Sequence, residues 1–159
     1  MSIHWCMTTC PAWMMTICGA TRARSGTVHF DGQDVTVRFR GGLLGHWSVW
    51  TASAVQQLRT IKDELARSGG ALSPELLALD SRVTDCNSAF FDVANNFHGC
   101  IAGCHEVLRR QGLLEGIWCL DPQEGLGAGQ AQAIDRVYAQ HGDLADDAFV
   151  SENLQRWLS

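Results

Sequence analysis

The sequence is poor in several features that mark common classes of protein, and each absence excludes one of them. Twelve basic residues stand against seventeen acidic ones, so the net charge is −5 and no positive excess favours a nucleic-acid partner. Lysine and tyrosine occur once each, as Lys62 and Tyr138. No Gly-x-x-x-x-Gly-Lys-Ser/Thr motif is present, so the lysine and the amides of a phosphate-binding loop are missing.

Long apolar runs are absent as well. The most apolar stretch, residues 3–17, is interrupted by polar residues and Pro11 and has no basic segment before it. It therefore matches neither a membrane-spanning helix nor a secretion signal. The seven cysteines are odd in number and lack the dense spacing of a disulfide scaffold. We expect a cytoplasmic protein with free thiols and no membrane partner.

Residues 1–49 are expected to form a divergent segment of strands and a hairpin. Residues 1–20 have no clean period. Residues 27–30 and 33–39 alternate apolar and polar side chains on either side of Asp31-Gly32. This dipeptide favours the positive φ angles of a two-residue type I′ turn, so a β-hairpin is predicted. Glycines at 41, 42 and 45 then predict a loop around His46 and Trp47.

From residue 50 onward the apolar residues recur at helical spacing, and about five amphipathic helices are predicted. The first begins with Thr51 as its cap and stops at Gly69-Gly70, and the second begins at Ser73-Pro74 and ends before the turn at residues 95–99. The third covers residues 100–111 with Gly112 as its stop, and the last two cover residues 129–141 and 146–158.

The same spacing predicts which side chains of the first three helices point inward. These are Trp50, Ala54, Leu58, Ile61 and Leu65 in the first helix, Leu76, Leu79, Val83, Cys86 and Phe90 in the second, and Ile101, Cys104, Val107 and Leu108 in the third.

Two stretches carry a resemblance to a known family. Residues 91–100 read Phe-Asp-Val-Ala-Asn-Asn-Phe-His-Gly-Cys, and residues 105–116 read His-Glu-Val-Leu-Arg-Arg-Gln-Gly-Leu-Leu-Glu-Gly. They resemble the C-terminal part of the dihydrodipicolinate synthase / N-acetylneuraminate lyase family. There a helix pair is followed by an asparagine-bearing turn and by a helix that ends in a Leu-x-x-x-Gly-Leu pattern. The resemblance covers about residues 50–159.

The resemblance implies a mainly α fold that forms the C-terminal helical part of a TIM (β/α)8 barrel aldolase. The barrel would be incomplete, because 159 residues are fewer than the roughly 250 that a complete barrel needs. Members of the family cleave or form carbon–carbon bonds of pyruvate-like keto acids through a Schiff base on a lysine of the sixth strand. A tyrosine of the fifth strand relays protons.

The catalytic residues of the family do not carry over to this sequence. Lys62 lies on the first predicted helix beside Asp63 and Glu64, which favour the charged amine instead of a nucleophile. Tyr138 lies on a late helix, and the Gly-x-x-Gly-Thr-Thr-Gly-Glu stretch is missing. We therefore assign no catalytic, cofactor-binding or metal residue. We expect a C-terminal fragment, inactive alone, that meets a keto acid only when its N-terminal half completes the barrel.

Three alternatives come from the residues themselves. His98, Cys100, Cys104 and His105 lie within eight residues and are suitable zinc ligands, although Cys104 and His105 point about 100° apart on a helix. A nucleophilic pair of Cys104 or Cys119 with His105 or His141 has no local signature. The third alternative is a small helical interaction module that self-associates through a tryptophan-rich surface made by Trp5, Trp13, Trp47 and Trp50.

Overall fold

The computed structural model describes residues 26–37, 45–69 and 71–159. Over these ranges the chain is mainly helical and carries one two-stranded antiparallel sheet. None of the described helices is both long and apolar enough to cross a membrane. The expectations for residues 1–20, for the end of the second strand and for the glycines at 41 and 42 lie outside the described residues.

The predicted hairpin is confirmed. Strand β1 (Gly26–Phe30) pairs with β2 (Gln33–Val37), with Phe30 opposite Gln33 at the turn. Asp31 and Gly32 have φ angles of 49° and 73°, which are the two positive values that a type I′ turn requires.

The five predicted helices are confirmed, with bounds within a few residues of those expected. They are α1 (Thr51–Arg67), α2 (Pro74–Phe90), α3 (Cys100–Arg110), α4 (Gln130–His141) and α5 (Asp147–Leu158). Single 3₁₀ turns at Val93–Asn95 and Gly142–Leu144 follow α2 and α4. Ser73 caps α2, because its Oγ accepts the Leu76 N–H at 3.2 Å. Gly112 ends α3 with a φ of 78°, which suits glycine at that position.

The chain divides into two compact units. The first is Met1–Gly45 with Arg59–Ser81, and the second is His46–Leu58 with Arg82–Ser159. In the described part of the first unit, Ile61, Leu65 and Leu76 are buried, as predicted. The predicted division of the chain at residues 49 and 50 is not tested by these units and stays a prediction.

The second unit has a core of apolar side chains from α2 to α5, from the two residues before α1 and from the turn after α4. Its buried members are Val49, Trp50, Val83, Cys86, Ala89, Phe90, Ala102, Val107, Ile134, Val137, Leu144 and Val150. The predicted inward positions Trp50, Val83, Cys86, Phe90 and Val107 are among them, whereas Cys104 and Leu108 are half-buried.

The inward face of α3 differs from the prediction. Ile101 is 49% exposed, and Ala102, Gly103 and Glu106 are buried instead. Small residues take the inward side because α3 lies very close to the end of α2: a Cβ on Gly103 would lie 2.1 Å from the carbonyl oxygen of Phe90. Glu106 tolerates burial because Arg109 and Arg110 both bond its carboxylate, at 2.7 and 2.8 Å. The predicted inward position of Ile101 is therefore wrong, whereas that of Val107 is confirmed.

Candidate functional site

The turn between α2 and α3 contains the motif on which the family resemblance depends. Asp92 begins it with a φ of 54° and is 2% exposed. One carboxylate oxygen, Oδ2, accepts the Gly99 N–H at 2.9 Å, and the other accepts Nδ2 of Asn95 at 2.6 Å. The aspartate thus accepts hydrogen bonds from a backbone donor and a side-chain donor of the turn. These bonds stabilise the left-handed backbone conformation of Asp92 itself.

Gln130 at the start of α4 joins this turn to the rest of the second unit. Its Nε2 lies 3.0–3.3 Å from the carbonyl oxygens of Ala89, Phe90 and Gly99. Its Oε1 accepts the Gly127 N–H at 2.9 Å. One buried amide therefore connects the end of α2, the start of α3 and the segment before α4. We call the group Asp92, Asn95, Gly99, Gly127 and Gln130 the Gln130 clasp.

The glycines of the Gln130 clasp leave no space inside it. A Cβ on Gly127 would lie 2.0 Å from Oδ2 of Asp92, and a Cβ on Gly99 would lie 2.1 Å from Oε1 of Gln130. The polar atoms of the clasp bond each other, so they have no free position for a substrate. The hydrogen bonds of these motif residues therefore hold the fold together at this turn.

The two residues that the family would use for chemistry have other surroundings here. Lys62 is exposed on α1. Tyr138 on α4 accepts a 3.4 Å hydrogen bond from Nε1 of Trp50, and the Arg110 guanidinium lies 5.4 Å from the centre of its ring. Burial raises the pKa of Tyr138 to about 12, so this phenol keeps its proton at neutral pH. Its contacts indicate a role in packing.

A buried histidine, which the sequence placed only in a loop, lies at the centre of the second unit. His46 is 3% exposed, and its ring meets Trp50 and Phe90 edge to face at 5.5 and 5.2 Å. Its backbone N–H and its Nδ1 both donate to Oδ1 of Asn87 at 2.9 Å. Burial lowers the pKa of His46 to about 4, so the ring is neutral at pH 7. The Nδ2 atom of Asn87 is buried without a hydrogen-bond partner.

A second polar group links α2 to the end of α4. Asp85 accepts two hydrogen bonds from Arg136, at 2.7 and 2.8 Å, and one from Nε2 of His141 at 2.9 Å. The bonds from Arg136 hold the pKa of Asp85 below its usual value. Nδ1 of His141 accepts Nε of Arg82 at 3.4 Å. Both ring nitrogens of His141 are thus engaged in the fold, which argues against its use as the base of a cysteine nucleophile.

The four cysteines that the structure describes have raised pKa values, which do not favour nucleophilic catalysis. Cys86, Cys100, Cys104 and Cys119 are free, and burial raises the pKa of each thiol, to about 12 for Cys86 and about 11 for Cys100. A catalytic cysteine needs a lowered pKa. Within the described ranges, no group of three or more histidine, cysteine, aspartate or glutamate side chains is placed to hold a metal ion. His98, Cys100, Cys104 and His105 therefore do not come together as a zinc site.

A small half-open cavity among the described residues is a further candidate for binding. It has a volume of about 120 Å³ and lies in the second unit, where Leu108, Phe149 and Trp157 contribute apolar walls. Its polar edge is Asp146, whose carboxylate accepts the Ala52 N–H and Nε2 of Gln111, both at 2.8 Å. This carboxylate caps the start of α1 although it is remote in sequence, and both of its oxygens already accept hydrogen bonds. The cavity therefore offers mainly apolar contacts.

No known family, curated protein or solved structure matches the chain in the comparisons.

Proposed function

We propose that residues 50–159 are the C-terminal helical part of a dihydrodipicolinate synthase-like aldolase. In this proposal the helices complete a β/α barrel, and the barrel strands supply the Schiff-base lysine for pyruvate-like keto acids. The observation that carries the proposal is the Gln130 clasp. The residues with the family resemblance, 91–100, build the interlocked turn between α2 and α3, which supports a shared structural role for them.

Exposed apolar side chains on α3 and in the segment that follows it also support the proposal. Trp118 is 61% exposed and Leu120 is fully exposed, in the irregular segment between α3 and α4. Ile101 on α3 is also about half exposed. Apolar surface of this kind is stabilised when another protein surface covers it. In a complete aldolase, the barrel would be that surface.

The surroundings of Lys62 and Tyr138 support a non-catalytic role for these helices. The lysine is exposed among acidic neighbours, and the tyrosine keeps its proton within a packed cluster. A Schiff base requires an amine that loses its proton near neutral pH. The chemistry of the family would therefore come from residues outside this helical region.

Borohydride trapping tests the absence of catalytic chemistry in the chain. The purified protein is incubated with pyruvate and borohydride, and intact mass is measured against a Lys62→Arg control. We expect no covalent adduct on either protein. A stoichiometric adduct on the parent that is absent from Lys62→Arg would show that this chain forms the Schiff base itself.

Complementation tests the structural role. A family aldolase truncated before its C-terminal helices is mixed with this chain, and the pyruvate adduct on the barrel lysine is trapped with borohydride. We expect this chain to bind the barrel and to increase the trapped adduct, whereas Gln130→Ala does neither. Absence of binding to barrels from several family members, with a folded chain, would contradict the proposal.

The same exposed side chains favour a second candidate, a helical module that self-associates. Trp50 of the predicted tryptophan-rich surface is 1% exposed and packs against Phe90 and Tyr138, so it does not belong to such a surface. The contacts between copies would instead involve Trp118, Leu120 and the exposed pair Phe149 and Trp157. Light scattering across a concentration series distinguishes the two functions, because this candidate requires a dimer or larger species. A monomer at all concentrations that melts cooperatively would exclude it.

A further inference from the structure

Two free thiols lie one turn apart on α3. Cys100 is the first residue of the helix and Cys104 follows four positions later, so both side chains lie on the same face. Both residues are partly exposed, so a small reagent can reach them. The charge of Cys104 contributes to the raised pKa of Cys100, which is consistent with sulfur atoms that face each other.

This spacing is too wide for a disulfide and suits a bridge through one additional atom. Cβ atoms at positions i and i+4 of a helix lie about 5–6 Å apart. A disulfide needs Cβ atoms about 3.5–4.5 Å apart. The helix therefore keeps the two thiols too far apart for a disulfide. They are close enough for one thiophilic atom to form a bond to each sulfur.

We propose that Cys100 and Cys104 form a dithiol site for trivalent arsenicals that carry one organic group. In the reaction, the two arsenic–oxygen bonds of the hydrated arsenical break and two arsenic–sulfur bonds form. Each thiol proton leaves with an oxygen as water, and arsenic stays trivalent, so no oxidant or reductant is needed. The raised pKa values slow the attack, which passes through the thiolate, but the net exchange consumes protonated thiols and releases water, so they do not oppose the bridged product.

The residues around the pair explain why this site suits a species that binds two thiols and does not suit zinc. Structural zinc needs four ligands, and no third histidine, cysteine, aspartate or glutamate joins this pair within the described residues. A trivalent arsenical that already has one carbon substituent needs only two sulfur ligands. The site would make the chain a target for thiol-reactive arsenicals independently of any aldolase role.

Phenylarsine oxide is the probe, and the folded, reduced, full-length chain is the sample. After trypsin digestion, Cys100 and Cys104 lie in the peptide 83–109 together with the fully buried Cys86. We expect this peptide to retain one phenylarsenic bridged between Cys100 and Cys104 in the presence of excess monothiol, and to lose it to a dithiol. Mapping by peptide separates this site from capture at the cysteines outside residues 83–109, and the single substitutions separate it from Cys86.

Single substitutions test the bridge. Cys100→Ser, Cys100→Ala and Cys104→Ser should each weaken capture by this peptide about 100-fold or more, because the second bond no longer forms within one molecule. Cys119→Ser is the matched control and should leave the capture unchanged. Circular dichroism confirms that each variant is folded before it is scored.

A second readout comes from the helix itself. A bridge across one turn of α3 should raise the melting temperature of the parent protein and of Cys119→Ser, but not of the variants at positions 100 and 104. The proposal is overturned if folded Cys100→Ser or Cys104→Ser keeps the bridged arsenic, if monothiol removes it from the parent, or if this peptide captures none.

Discussion

Individual polar residues inside the second unit have partners that fix their charge state. His46 donates to Asn87 and lies between two aromatic rings, so the core accepts only its neutral form. Glu106 is charged and buried, but hydrogen bonds from Arg109 and Arg110 hold its pKa below the usual value. Burial has opposite consequences for the two residues because only the glutamate has counter-charges beside it.

Acid should destabilise the protein through His46 before it affects the carboxylates. The folded pKa is about 4 against an ordinary value of 6.5, so the unfolded chain binds the proton first as the pH falls. The stabilisation that neutral His46 provides is present above pH 6.5 and is lost as the pH falls from 6.5 to 4. Between pH 7 and pH 5, the unfolding free energy should therefore fall by about 2 kcal/mol. Urea unfolding at both pH values measures this.

Two variants serve as controls for the pH dependence. His46→Phe should flatten it over this interval, because the backbone N–H at position 46 still bonds Asn87 and no titrating ring remains. His98→Gln, at an exposed position, should keep the slope of the parent. Equal stability of the parent at pH 7 and 5 would mean that His46 is not buried in solution.

At the scale of elements, the hydrogen bonds of the Gln130 clasp stabilise the place where α2, α3 and α4 meet. Replacement of Gln130 by alanine leaves the Gly127 N–H and the Gly99 carbonyl without their partner and opens a small cavity. We expect Gln130→Ala to lower the unfolding free energy by about 3 kcal/mol. The matched control, Gln132→Ala at an exposed position of the same helix, should change it by about 0.5 kcal/mol or less. Chemical denaturation compares the two; equal losses would show that the clasp is not formed.

Because α3 packs closely on the end of α2, replacement of Gly103 by alanine should lower the stability of the protein instead of raising it. In an open helix, alanine is more stable than glycine by about 1 kcal/mol. At Gly103 the added Cβ would meet the Phe90 carbonyl, so Gly103→Ala should destabilise by about 2 kcal/mol in thermal or urea unfolding. At Gly142, where a Cβ meets nothing within 4 Å, alanine should be neutral or slightly stabilising. Stabilisation by Gly103→Ala would place α3 further from α2 than the structure does.

The elements show which features the sequence predicts and which it does not. The Asp31-Gly32 turn, the Ser73 cap and the Gly112 stop depend on neighbouring residues and were predicted correctly. The outward position of Ile101 and the bonds of Gln130 depend on contacts with residues up to 41 positions away, which periodicity does not record. His46 was missed for the same reason, since its partner Asn87 is also 41 positions distant.

At the scale of the whole molecule, resistance to local opening should differ between the described parts. The hairpin has exposed side chains over residues 29–35, and a two-stranded sheet alone is only marginally stable. Helices α3 and α4 instead contribute fully buried residues to the core, among them Val107 and Ile134. Hydrogen exchange should therefore be fast for the hairpin amides and slowest for α3 and α4. Comparable protection in the hairpin would indicate that it is covered in solution.

The bonds of Gln130 also affect how this region loses structure. The amide belongs to α4, and its partners are the end of α2 and the start of α3, so none of these three ends opens without breaking a hydrogen bond of Gln130. Fluctuations that would elsewhere be small and independent are here coupled through one side chain. The three ends should open rarely and together, with one shared opening rate instead of three.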